Sequence, residues 1–94
     1  MKMISNKMLR EFAAIHPTAS TPLALFRKRI EKGRYENFAE LLASFSGVDK
    51  VGDVFVFNIG GNKYRLVAGI VFAVQTVWIK AVMTHAEYDE GKWK

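Results

Sequence analysis

Asn58–Trp93, NIGGNKYRLVAGIVFAVQTVWIKAVMTHAEYDEGKW, decides the architecture of this 94-residue chain. Tyr64–Phe72 and Val77–Met83 are runs of strong sheet formers separated by a polar break at Gln75-Thr76. Val54–Ile59 is a third such run, and Gly60-Gly61-Asn62 supplies the permissive residues of a hairpin turn. Ala73–Thr76 is too short for a crossover helix, so the three strands are read as an antiparallel meander.

Side chains alternate across a strand, which predicts the two faces. Tyr64, Leu66, Ala68, Ile70 and Phe72 share one face of their strand, with Arg65, Val67, Gly69 and Val71 on the other. In the last strand the alternation puts Trp78, Lys80, Val82 and Thr84 together, opposite Val77, Ile79, Ala81 and Met83. Arg65 and Lys80 are therefore expected on the face away from the helices, with Gly69 leaving a concave floor. A turn centred on Val74-Gln75 sets Arg65 opposite or diagonal to Thr84.

Upstream residues read as cover for this platform. Lys2–Ile4 is an edge strand, after which Ser5 or Asn6 is placed to cap a helix over Lys7–His16. Met8, Leu9, Phe12, Ala13 and Ile15 give that helix one apolar stripe. His16-Pro17 ends it, because the residue before proline avoids the helical region. His16 there is a structural residue facing the negative helix pole. A second helix begins with Thr21 as cap and Pro22 at its first position, buries Leu23, Phe26 and Ile30, and ends at Gly33 in the left-handed conformation. The third carries Asn37 with Glu40 as a capping box and Phe38, Leu41, Leu42 and Phe45 as its stripe, ending at Gly47. The expected class is α+β: one domain over residues 1–94, an antiparallel sheet with amino-terminal helices packed on one face.

Composition narrows the chemistry. Half the residues are apolar, and no cysteine occurs, which excludes disulfides, zinc–thiolate sites and a cysteine nucleophile. No secretory signal is visible, and the apolar run Leu66–Ile79 is interrupted and shorter than the roughly 20 residues that span a bilayer. A protein free of the membrane and resident in the cytoplasm is expected. A net charge of +5 favours polyanionic partners. Arg27, Lys28 and Arg29 form the densest basic run, either a solvated face or a contact for RNA phosphates or an acidic partner.

Cations beside His85 and Tyr88 suit phosphodiester chemistry. Arg65 and Lys80 offset charge that grows on phosphorus-bound oxygens in the transition state. Histidine exchanges protons around neutral pH, and tyrosine stacks on bases or moves a proton. RNA brings its own nucleophile, the 2′-hydroxyl. His85 with Glu87 and Asp89 falls short of a zinc ligand set, so neither metal nor other cofactor is expected. The non-catalytic reading of the same residues is a basic RNA- or ribosome-binding module in which His85 is a rim residue and Tyr88 packs on Trp93.

Phe57–Leu66 followed by Met83–Asp89, an F-N-x-G-G-N-x-x-R segment and a T-H-x-E-Y-D segment, resembles the HigB-type toxins of bacterial type II toxin–antitoxin systems. The resemblance covers most of the chain. It implies a compact RelE-like fold and a metal-independent endoribonuclease that cuts mRNA on the ribosome, leaving a 2′,3′-cyclic phosphate and a 5′-hydroxyl. It also implies a cognate helix-turn-helix antitoxin through which alone the pair meets DNA. The family's motif positions fall on Arg65, His85 and Tyr88, with Lys80, Lys63 and Asn62 as neighbours. Glu87 is expected to orient His85.

Overall fold

Sheet-forming runs and helical stripes condense into one five-stranded sheet with helices on both sides; the computed structural model describes residues 1–91 and Trp93. In chain order the elements are β1 (Lys2–Ile4), α1 (Asn6–Ile15), α2 (Ser20–Lys32), α3 (Phe38–Ser44), β2 (Asp49–Val51), β3 (Val54–Ile59), β4 (Tyr64–Val71), β5 (Thr76–Thr84) and α4 (His85–Asp89). Short 3-10 turns occupy Pro17–Ala19 and Phe72–Val74. The strand order is β1-β5-β4-β3-β2. The meander is as expected, but β1 lies parallel to β5, so the sheet is mixed.

The principal core lies between the sheet and α1–α3. Leu9, Leu23, Phe26, Ile30, Leu41 and Phe45 meet Phe55, Phe57, Leu66, Val77 and Ile79 there. Phe26, Phe45 and Phe57 pack edge-on or tilted, with ring centroids 4.9–5.5 Å apart. Gln75 has the left-handed φ of 48°, and its amide donates to Phe72 and Tyr35 carbonyls while accepting from the Tyr35 N–H. That clamp ties the β4–β5 turn to the chain between α2 and α3.

Local signals failed at several helix ends. Ser5 is left-handed (φ 78°) and makes no side-chain capping hydrogen bond. α2 starts at Ser20, continuous with the preceding 3-10 turn, so Thr21 and Pro22 lie within its first turn rather than at the cap and first position. Proline is tolerated there because first-turn N–H groups lack helical partners. Gly33 ends α2 with extended backbone, φ −88°. α3 stops at Ser44; Gly47, φ +89°, serves the following turn. Asn37 does cap α3, accepting from the Glu40 N–H at 3.0 Å.

The largest departure is a β-bulge. Ala68 pairs with Ile79 and Val67 with Ala81, leaving Lys80 as an extra residue in β5. Alternation resets there. Ala81 and Met83 join Trp78 and Lys80 on the face away from α1–α3, hereafter the open face, while Val82 turns to the helix side. The strict two-residue alternation predicted the reverse for Ala81–Thr84. The bulge lets Met83 and Ala81 pack with Val56, Val67 and Tyr88 in a second, smaller core.

Candidate active site

Thr84-His85-Ala86-Glu87 turns the chain from β5 into a helix. The Thr84 hydroxyl accepts from the Glu87 N–H at 3.2 Å, and the Glu87 carboxylate accepts from the Thr84 N–H at 2.9 Å. This reciprocal capping box is legible in the T-x-x-E spacing, which sequence reasoning passed over. Glu87 is thereby committed to the cap and does not orient His85. Asp89 does: four residues on, it stands on the same helical face, with Oδ2 2.8 Å from His85 Nδ1.

The hydrogen bonds from the Thr84 backbone and side chain, with a smaller contribution from the charge of His16, hold the Glu87 carboxyl below its ordinary range. The sign follows from the lowered value. The cap's charge-dependent stabilisation is complete above the ordinary glutamate range and is lost as pH falls through the lowered one. Thr84→Ala is expected to cost about 1 kcal/mol in a denaturant melt near neutral pH, and Glu87→Gln to lose the wild type's sensitivity to mild acid. Identical acid profiles for wild type and Glu87→Gln would rule out this linkage.

β4 brings Arg65 beneath α4. Register sets Arg65 opposite Met83, one position before Thr84; the expected neighbourhood of Arg65 with the His85 rim holds, although the bulge turns the Thr84 side chain to the other face. Arg65 is only 8% exposed. Its Nη2 donates to Asn62 Oδ1 at 2.6 Å, and its Nη1 donates to the Asn62 and Tyr64 carbonyls at 3.3 and 3.1 Å. No carboxylate lies within ion-pair distance of it among the described residues. Asn62 belongs to the β3–β4 turn, where Gly60 and Gly61 take φ of 63° and 71°. The turn is fastened to α4 by the His85 N–H donating to the Lys63 carbonyl at 2.9 Å.

Tyr88 roofs this cation. Arg65 Cζ lies over its ring at 5.7 Å, and Trp93 stacks on it at 4.9 Å and 12° while donating from Nε1 to the Tyr88 carbonyl at 3.1 Å. Its ring is thus engaged by both Arg65 and Trp93. Arg65, Asn62, Lys63, His85 and Tyr88 therefore gather at one end of the sheet. The packing of Tyr88 on Trp93 was an expectation of the non-catalytic reading, whereas Asp89 was not expected to hold His85.

The other expected site residues stand apart. Lys80 is on the open face, but its side chain lies across Gly69, with Cε 2.9 Å from where a Cβ would stand. Gly69 is four residues along β4 from Arg65, about 13 Å at the rise of a strand. Arg27, Lys28 and Arg29 are on α2, across the sheet. Arg27 pairs with Glu31 at 3.2 Å. Arg29 bonds the Ser44 carbonyl and lies 4.4 Å over Phe45, tying α2 to the end of α3. His16 closes α1, stacked on Phe12 at 4.4 Å, consistent with a structural role. No set of three His, Asp or Glu side chains converges as a metal cage among the described residues, and none of their helices is long and apolar enough to cross a membrane.

Comparison with known proteins places this geometry in context. Residues 19–91 match the family HigB_toxin, described as the RelE-like toxic component of a toxin-antitoxin system. The chain is 37% identical over 92 residues to the mRNA interferase toxin HigB of Escherichia coli (strain K12), covering 95% of this chain and 88% of that protein. The same identity and coverage relate it to the mRNA interferase HigB of Shigella flexneri.

Proposed function

The chain belongs to the HigB family of RelE-like toxins, and from that premise we propose an endoribonuclease that cuts mRNA with the groups gathered at α4. The carrying observation is Arg65, a nearly buried guanidinium with no carboxylate of the described residues in reach, lying beneath Tyr88, whose helix also holds the His85–Asp89 pair. A buried cation without a counter-ion raises the affinity of its surroundings for an anion. Here that anion is the scissile phosphate.

The reaction needs two proton movements. The 2′-hydroxyl loses its proton as its oxygen bonds to phosphorus; the P–O5′ bond breaks, and O5′ takes up a proton. The products are a 2′,3′-cyclic phosphate and a 5′-hydroxyl. With Nδ1 held by Asp89, the Nε2 of His85 is the atom free to exchange protons, and the Tyr88 hydroxyl is the second proton-bearing group. Arg65 counters charge growing on the phosphate oxygens, in surroundings where dielectric screening is weak. Asn62 holds the Arg65 fork, and Lys63 adds charge at the rim. Arg27, Lys28 and Arg29 give a second basic surface, for docking rather than chemistry.

As the toxic half of a toxin–antitoxin pair the protein has an antitoxin partner. We take that partner to be a helix-turn-helix protein supplying the pair's contact with DNA, and the translating ribosome in the cytoplasm to be where the mRNA is cut. Expression alone is expected to arrest growth and shorten transcripts, with co-expressed antitoxin restoring both; cleavage should persist in EDTA. Normal growth and intact transcripts at high levels of folded protein would refute the nuclease. Tight RNA binding under those conditions would favour the non-catalytic binding module.

A further inference from the structure

The open face continues past Arg65 to an end that the proposed chemistry does not use. β1 pairs there with β5, setting Lys2 beside Thr76 and Ile4 beside Trp78, while Trp78 faces Gly69 of β4. Residues paired this way share a face, so Lys2, Trp78 and Lys80 lie on one strip. Trp78 is 36% exposed and belongs to neither core. Because Gly69, the residue paired with Trp78, has no Cβ, the end of the Lys80 side chain lies over it, with Cε 2.9 Å from where a Cβ would stand. Any side chain at position 69 would displace it.

Charge on this strip has one sign. β1, β4 and β5 contribute no acidic residue to the open face. The nearest carboxylate on its strands is Asp49 of β2, three strands from β5 at the far edge. An exposed indole on a rigid sheet strip whose own charged residues are all cations matches single-stranded nucleic acid. Bases stack on aromatic faces whatever their identity, and cations track the backbone.

We propose that Trp78, flanked by Lys2 and Lys80, is a subsite for single-stranded RNA. The indole stacks on a base a few nucleotides from the cut, and the two ammonium groups hold the adjoining phosphates. The subsite rests on the reading that RNA is cut at the Arg65–His85–Tyr88 end. Its distance of about 13 Å along β4 makes it a grip on the flanking chain and leaves bond cleavage to α4. Lys80 thus serves binding, not transition-state chemistry.

Binding and cleavage separate the two ideas. The probe is an eight-nucleotide RNA with every 2′-hydroxyl methylated, so that it binds without being cut. Trp93→Phe keeps a ring against Tyr88 and leaves Trp78 as the sole tryptophan; its fluorescence should quench saturably on titration. Trp78→Ala should weaken binding about tenfold, within the range for loss of one base stack, and Trp78→Phe should recover most of it. Lys2→Ala with Lys80→Ala should flatten the salt dependence. Unquenched Trp78 fluorescence at saturating RNA would overturn the subsite, as would unchanged affinity in a folded Trp78→Ala. Quenching by an acidic peptide but not by RNA would overturn it as well. Each of these results leaves the nuclease standing if the wild type still cuts transcripts. Should Trp78→Ala fail to fold, the Trp93→Phe titration decides.

Discussion

His85→Gln is expected to slow RNA cleavage by about 10²–10⁴-fold, the usual contribution of general acid–base catalysis. Glutamine approximates the size of the imidazole and hydrogen-bonds, but it cannot shuttle a proton. The His85 side chain is 40% exposed and held by Asp89 at 2.8 Å, so its loss removes one surface polar contact and little packing. Such contacts contribute about 0–1 kcal/mol. Thermal stability and RNA affinity should therefore stay near wild type. The backbone bond from His85 to Lys63 does not depend on the side chain, so the β3–β4 turn keeps its place. The measurement is single-turnover cleavage, on ribosomes if free RNA is cut slowly, beside a melting curve. Full activity in folded His85→Gln would remove this residue from the mechanism.

Arg65→Ala should lower the cleavage rate by about 10²–10³-fold, as removal of a charge-stabilising donor does elsewhere. It should also weaken RNA binding, because its charge acts on the phosphate before and during reaction. Unlike His85, Arg65 is buried, and its fork donates to Asn62 and Tyr64 while its plane supports Tyr88. Alanine leaves those acceptors short of a donor and empties space under the ring. A loss of about 1–3 kcal/mol in stability is expected from the unmade hydrogen bonds. Arg65→Lys keeps the charge but not the planar fork. It should recover part of the binding and less of the rate, since Asn62 and Tyr88 would no longer be held. Wild-type cleavage by Arg65→Ala would place the phosphate elsewhere on the sheet.

Much of this arrangement was legible from residue order. Where a signal is local, sequence determined the outcome: Gly60-Gly61 for the turn, Asn37 for the α3 cap, and the Leu23–Phe26–Ile30 stripe for α2. Arg65, Gly69 and Lys80 were placed on the open face because alternation holds in β4 and in β5 up to the bulge. Motif spacing also brought His85 and Tyr88 to the end of β5, although the capping box that makes their helix went unread. His85's partner was missed for a related reason: Asp89 reaches it only because α4 is helical.

Tertiary structure alone decided the rest. The parallel pairing of β1 with β5 joins residues more than seventy positions apart, and no short-range pattern encodes it. The bulge at Lys80 arises because two cores compete for one strand: Ile79 and Val82 pack with the helices, Ala81 and Met83 beneath Tyr88. Strict alternation cannot satisfy both, so one residue is left out of register. That same bulge leaves Lys80 unpaired between Ile79 and Ala81, with its side chain over Gly69 rather than at Arg65. Periodicity follows from backbone geometry and can be read residue by residue. Register and strand partners follow from which buried surfaces fit together, and that is settled only when the whole sheet is assembled.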